Sequence, residues 1–176
     1  MKFVSDVRLL VLALWLGAAV FFIAVAQSAF AVLPQRDMAG AVVNRTLAIL
    51  NYAGIGVGII LLLTSFIVRA GTNLILLWTE RILLLVLTAA CAVAQFVIAW
   101  WMLMLRTQMG RPIDEVAVDD PLRIQFNQLH QYSTWLMMAA MIAGLLAFFI
   151  ISNRKARPAA KPLSNEPYNF EKEFKI

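Results

Sequence analysis

The chain has 176 residues, of which 62% are hydrophobic and 14% are charged. A soluble domain is about 45–50% apolar and about 25% charged, so this composition excludes an ordinary soluble protein and predicts one whose partner is the lipid bilayer. The formal net charge of +5 does not indicate nucleic-acid binding, because the basic residues lie near the ends of apolar runs and in the C-terminal segment, outside any nucleic-acid-binding motif.

Four long apolar runs follow one another along the chain, at about residues 9–33, 47–68, 82–105 and 132–151. A helix needs about 20 mostly apolar residues to cross about 30 Å of hydrocarbon, and each run meets that need. The strands of a membrane barrel would instead alternate in polarity over about 10 residues. We therefore predict an all-α, polytopic membrane protein with a four-helix transmembrane bundle over residues 1–152.

The first run could also be a signal peptide, since Lys2 and Arg8 precede it and Ala29-Phe30-Ala31 is a plausible cleavage site. However, about 17 apolar residues precede Gln27, whereas the core of a signal peptide has about 7–15. We favour a retained first helix.

The fourth run has a clear start signal, because Asp120 followed by Pro121 is typical of an N-cap and the first helical residue. A helix from there to Ile151 would be about 46 Å long at 1.5 Å per residue. Its first turns should therefore extend beyond the hydrocarbon core.

The segment 153–176 combines Pro158, Pro162 and Pro167 with many charges and few aliphatic side chains. Such a segment cannot bury enough apolar surface to offset the entropy lost on ordering. We predict a disordered cytoplasmic tail.

The distribution of basic residues predicts the orientation. Ten Lys and Arg residues fall on the side of the two termini and five on the other side, where a similar number of acids balances them. The positive-inside rule then places both termini in the cytoplasm (N-in/C-in). We expect a multi-pass protein of a plasma membrane, specifically a bacterial inner membrane.

Each helix carries a stripe of small or polar residues at helical spacing, which predicts its packing face. The four stripes are Gly17, Phe21, Ala24 and Ser28; Asn51, Gly54 and Gly58; Thr88, Cys91, Gln95 and Ala99; and Phe126, His130, Ser133 and Met137. Gly54 and Gly58 form a GxxxG pair, for which we favour packing inside the bundle over contact with a second copy in a homo-oligomer.

Six polar residues fall in the extracytoplasmic half of the predicted bundle: Gln27, Ser28, Asn51, Gln95, His130 and Ser133. One hypothesis is that they converge in a polar pocket, because polar groups within a membrane usually turn inward and find partners. The alternative is that they only hydrogen-bond between helices and thereby hold them together.

A copper-like metal site is a weaker hypothesis. His130, Met137 and Met141 lie along the fourth helix, and three further methionines, Met102, Met104 and Met109, lie near the end of the third. Imidazole and thioether ligands suit Cu(I), but methionine is also a common space-filler in apolar cores. We predict no metal and no cofactor; a single histidine cannot supply two imidazoles to a haem.

No Asp, Glu, Lys or Arg lies inside the four apolar runs, which argues against proton-coupled transport. The acids Asp114, Glu115, Asp119 and Asp120 cluster in one loop, where a solvated surface is the simplest interpretation. Catalysis would need a nucleophile beside a base, paired carboxylates or a ligated metal. We therefore predict no enzyme but a non-enzymatic membrane factor, with a small-solute or metal-ion transport or resistance protein as the alternative.

Two patches resemble the transmembrane protein 205-like family, also called domain of unknown function 4149, over roughly residues 8–150. The first is LWLGAAVFFIAVAQSAFAVLPQRDMAG followed by LNYAG, and the second is RIQFNQLHQYS. The residues that carry the resemblance are Trp15, Gly17, Phe21, Phe22, Phe30, Leu33, Gly40, Phe126, Leu129, His130 and Ser133. The resemblance implies four spans with an uncleaved first helix and a loose link to stress or metal-drug resistance, but no reaction. Gln27-Ser28 departs from the family pattern.

Overall fold

A computed structural model describes residues 2–67 and 74–153. Within these ranges the chain is all-helical and has no strand. The helices are α1 (Lys2–Val32), α2 (Arg36–Ile67), α3 (Leu74–Val93), a π-helical turn (Ala94–Ile98), α4 (Ala99–Met109), a 3₁₀ turn (Ile113–Glu115) and α5 (Pro121–Ser152). Since α3, the π-helical turn and α4 are continuous, four helices are long and apolar enough to cross a membrane, as expected for a multi-pass membrane protein.

The helices extend beyond the apolar runs from which they were predicted. The connection between α1 and α2 is only residues 33–35, and α3 begins at Leu74, eight residues before the third run. An apolar run shows only which side chains avoid water. The helical backbone continues beyond each run into residues with more polar side chains. The predicted disordered tail lies outside the described residues, apart from Asn153.

The predicted start of the last helix is confirmed. Pro121 is the first residue of α5, and the Asp120 carboxylate accepts a hydrogen bond from the Leu122 backbone N–H at 2.8 Å. This bond satisfies one of the free N–H groups at the helix start, and proline at that position has no N–H to satisfy.

The predicted packing face of α1 is wrong. Gly17, Phe21, Ala24 and Ser28 are all exposed, with Phe21 70% accessible. The buried face instead carries Leu12, Trp15 and Ala19, which join the main core with residues of α2, α3 and α5. The prediction was wrong because it assumed that every helix packs through small residues. Helix α1 instead packs through the large Trp15 side chain, which fills space left by glycines on other helices.

The glycines of α2 provide that space. A Cβ atom on Gly54 would lie 2.6 Å from the Cys91 sulfur and 2.9 Å from the Trp15 indole nitrogen, and one on Gly58 would collide with Thr88. The Trp15 Nε1–H donates a hydrogen bond to the Leu50 carbonyl at 3.1 Å. The GxxxG pair therefore lies in contacts within the bundle, where it allows α1 and α3 to approach the α2 backbone.

A buried ion pair closes the terminal end of the bundle, where α1 begins and α5 ends. The Arg8 guanidinium lies 2.5 Å from the Glu80 carboxylate and also donates to the Leu61 carbonyl at 3.0 Å. Arg8 is 3% exposed and Glu80 is fully buried. Both residues fall one or two positions outside the apolar runs, where charged side chains usually face water, yet they connect α1, α2 and α3 inside the packed bundle.

Removing one partner of this pair should destabilise the protein more than removing an exposed charge. Glu80→Gln leaves the Arg8 charge buried without a counter-ion, and we expect a loss of about 3–5 kcal/mol in the free energy of unfolding. Asp6→Asn removes an exposed carboxylate on α1, two residues before Arg8, and is the control. Unfolding of the detergent-purified protein, followed by tryptophan fluorescence, measures both; equal stability of the two variants would contradict a structural role for the pair.

The glycine contacts predict a second difference. Gly54→Ala should lower the free energy of unfolding by about 1–3 kcal/mol, because the added methyl group meets Trp15 and Cys91. Gly56→Ala on the same helix has open space around its Cβ position and should be neutral or stabilising by roughly 0.5–1 kcal/mol. The same unfolding assay compares the two, and equal effects would show that α2 does not pack as described.

Candidate functional site: a cavity at the loop end

A cavity of about 330 Å³ lies at the end of the bundle opposite the ion pair, near the loop between α4 and α5. We call it the loop-end cavity. Its lining comes mainly from α2, the π-helical turn, α4 and α5: Phe30, Arg36, Gly40, Val43, Asn44, Leu47, Asn51, Ala94, Gln95, Ala99, Met102, Leu103, Arg106, Ile113, Phe126, Asn127, His130 and Ser133. The backbones of α2 and α4 are farther apart than those of the neighbouring helix pairs, and the Arg106–Asp37 ion pair joins these two helices.

The structure brings together four of the six polar residues that the sequence analysis grouped. Asn51, Gln95, His130 and Ser133 all line the loop-end cavity. His130 is nevertheless an exposed residue and so belongs to the more open part of the lining.

Gln27 and Ser28 do not line this cavity, and both are exposed on α1. At about 100° per residue, Gln27 lies about 120° and Ser28 about 140° around the helix from the inward-facing Trp15. The contribution of α1 to the cavity is Phe30. The sequence analysis grouped these two residues with the others by their predicted depth in the membrane. Their positions around the α1 axis instead point them away from the cavity.

The π-helical turn shapes one wall of the cavity. It runs over Ala94–Ile98, and both Ala94 and Gln95 line the cavity. A π-helical turn inserts an extra residue into the helical repeat, which redirects the side chains that follow, and such turns are frequent at functional sites. No sequence signal in this apolar stretch indicated it, although Gln95 itself stood out as a polar residue within the run.

The inner part of the cavity contains polar groups that the protein itself does not satisfy. Asn51 is only 3% exposed, yet its amide makes no hydrogen bond to any residue within the described ranges. Ser133 is 8% exposed and also lines the cavity. The Asn51 amide atoms are not fully enclosed, so a water molecule or a ligand in the cavity can form hydrogen bonds with them.

Charged residues surround the cavity in pairs. Arg106 forms an ion pair with Asp37 and lies 5.9 Å from the centre of the Phe126 ring. The Arg36 Nε atom lies 3.7 Å from an Asp114 carboxylate oxygen in a solvent-exposed pair. These contacts connect α2 to α4 and to the following loop. The sequence alone indicated only that acidic and basic residues balance on the side of the bundle opposite the two termini.

The loop itself is held against α5. The Arg123 guanidinium donates a hydrogen bond to the Val116 carbonyl at 2.5 Å, and Val116 is buried. The four acids of the loop therefore do not form one cluster: Asp120 caps α5, and Asp114 faces Arg36.

The residues of the copper hypothesis are divided between two places. His130 and Met102 line the loop-end cavity, whereas Met137 and Met141 pack against the main hydrophobic core. Within the described part of the chain, no three His, Cys, Asp or Glu side chains form a group that could hold a metal ion. Met137 and Met141, whose thioethers the hypothesis placed beside His130 on α5, therefore do not line the cavity.

Four further residues of the two family patches have structural roles. Trp15 packs against Gly54 of α2 and donates a hydrogen bond to the Leu50 carbonyl, and Leu129 is buried in a second apolar cluster with Ile98 and Leu105. Phe126 packs against that cluster beside the cavity, while Phe22 packs against the main core.

Comparison with protein families gave a match to a domain of unknown function, DUF4149, over residues 10–111. The match contains the first patch, from Trp15 to Gly40, and ends before the second patch around His130. Neither the curated proteins nor the solved structures gave a match. The narrower likeness to transmembrane protein 205 stays a prediction. Because the match covers more than half of the chain, this protein belongs to the DUF4149 family.

Proposed function

We propose that this chain is a non-enzymatic, multi-pass protein of a plasma membrane, specifically a bacterial inner membrane, that binds a small solute in the loop-end cavity. Both termini lie in the cytoplasm, so the cavity lies in the extracytoplasmic half of the bundle. The observation that carries the proposal is Asn51. This residue is only 3% exposed, lines a cavity of ligand-binding size and makes no side-chain hydrogen bond to another described residue, so its amide is accessible from the cavity.

The chemistry of the lining supports binding better than catalysis. The lining residues include no carboxylate and no thiol, so no lining acid is available to orient His130 as a base for the Ser133 hydroxyl. Their side chains are mostly amides, a hydroxyl and apolar groups, which can orient a ligand but offer no acid–base pair for chemistry.

Metal-ion handling is the second candidate. One observation favours it, because His130 and Met102 line the same cavity and both are ligands that suit Cu(I). Copper bound at about one ion per chain after purification in chelator-free buffer, and lost in Met102→Leu, would favour this candidate over an organic solute.

The proposed orientation predicts which introduced cysteines a membrane-impermeant maleimide can reach. Val118 lies in the exposed loop before α5, and Asn153 lies just after α5 at the terminal end. We expect Val118→Cys to react in intact cells and Asn153→Cys to react only after permeabilisation, because the positive-inside rule places the terminal end in the cytoplasm. The native Cys91 is buried and serves as the background control. The reverse pattern would overturn the orientation.

Solute binding predicts that a small molecule stays with the protein during gentle purification from its native membrane. Ala99→Leu adds bulk to the cavity wall and should reduce the retained amount about tenfold or more, which corresponds to roughly 1.4 kcal/mol. Ala139→Leu, an exposed site on α5 outside the lining, should retain as much as the natural protein. Native mass spectrometry measures the retained mass. Absence of any such mass, or equal retention by both variants, would count against the proposal.

A further inference from the structure

We infer that the ligand of the loop-end cavity is a neutral amphiphile, with a small apolar body and a head that carries a hydroxyl or carbonyl group. The inference rests on the proposed function and specifies the class of solute. Three features support it: the pairing of the charges around the cavity, the uncharged polar groups at its inner part and the apolar remainder of its wall.

The charges around the cavity are already neutralised by the protein. Arg106 has its counter-ion in Asp37, and Arg36 has one in Asp114. The lining contains no acidic side chain, so an ammonium ligand would find no counter-charge. An anionic ligand would have to compete with Asp37 or Asp114 for an arginine.

The N-termini of α2 and α5, which lie near the cavity, leave no uncompensated positive end of a helix dipole. Asp37 lies in the first turn of α2, and Asp120 accepts a hydrogen bond at the start of α5. A carboxylate at a helix N-terminus offsets the positive end of the helix dipole. The two helix starts at this end of the bundle therefore do not provide an anion site.

The inner part of the cavity offers hydrogen bonds of both kinds without charge. Asn51 and Gln95 each have an amide with donors and an acceptor, and Ser133 has a hydroxyl that can do either. A hydroxyl or carbonyl head can satisfy these groups, whereas burying an unpaired charge beside them would be far more costly. The unpartnered Asn51 amide makes this match favourable.

The remaining wall is apolar, with Val43, Leu47, Met102, Leu103 and Phe126 among its members. An apolar ligand body can replace water along this wall, at about 25 cal/mol per Å² of surface buried. The volume of about 330 Å³ is near the lower end of the usual range for ligand pockets. The body should therefore be about the size of one ring or a short chain.

Three probes that share one apolar body can test the head group: 2-phenylethanol, phenylacetate and 2-phenylethylammonium. The protein, reconstituted in nanodiscs, carries ¹³C-methyl methionine. The Met102 methyl group reports binding because it lines the cavity, and the exposed Met104 on the same helix reports partition into lipid. We expect 2-phenylethanol to shift the Met102 signal saturably, and the two charged probes to bind at least about tenfold more weakly because their desolvation is not compensated.

Variants assign the head-group contact. Asn51→Leu should weaken 2-phenylethanol binding about fivefold, the effect of one neutral hydrogen bond. Ser133→Ala should weaken it less and serves as a second variant should Asn51→Leu fail to fold. Gln27→Leu removes a polar group that is exposed outside the cavity and should have no effect.

The outcomes separate the ligand class from the proposed function. Equal or tighter binding of phenylacetate or 2-phenylethylammonium overturns the neutral class but leaves solute binding standing. Equal effects of Asn51→Leu and Gln27→Leu overturn the head-group assignment. If no probe shifts Met102 relative to Met104, the inference fails; the proposed function fails with it only if the purified protein also retains no small molecule.

Discussion

The packing of Trp15 against Gly54 of α2 brings three helices of the bundle together. In a bilayer, lipid tails compete equally well for apolar side chains, so helices associate through close packing and hydrogen bonds. Gly54 gives the indole ring access to the α2 backbone, and the ring nitrogen bonds to the Leu50 carbonyl. The same glycine admits the Cys91 sulfur from α3. One small residue thus joins three helices.

The two ends of the bundle differ in how they treat polar groups. At the terminal end, Arg8 and Glu80 are buried against each other, and Arg8 also bonds to the Leu61 carbonyl, so the pair connects α1, α2 and α3. At the loop end, the ion pairs lie near the surface and α2 stands apart from α4, so the uncharged Asn51 faces a cavity. Charged groups are therefore buried as a pair at one end, whereas uncharged polar groups line a cavity at the other.

Sequence patterns grouped four polar residues that share one end of the bundle, but they did not predict how the residues are arranged around each helix. Asn51, Gln95, His130 and Ser133 share the cavity, whereas Gln27 and Ser28, expected at the same level, lie on the outer face of α1. Small residues marked the packing face of α2 correctly and that of α1 wrongly, since a helix can pack through a large residue opposite a glycine. The buried Arg8 and Glu80 escaped notice because charges at the ends of apolar runs usually face water.

The sequence by itself determined the helical class, the number of long apolar helices and the start of α5. The first two follow because lipid cannot form hydrogen bonds with an exposed peptide group, and the third follows from local capping chemistry. Tertiary structure decided which face of each helix turns inward, the pairing of Arg8 with Glu80 and the cavity at the loop end. Those features depend on contacts between residues distant in the chain, and on a π-helical turn that changes the rotation of α4 relative to α3.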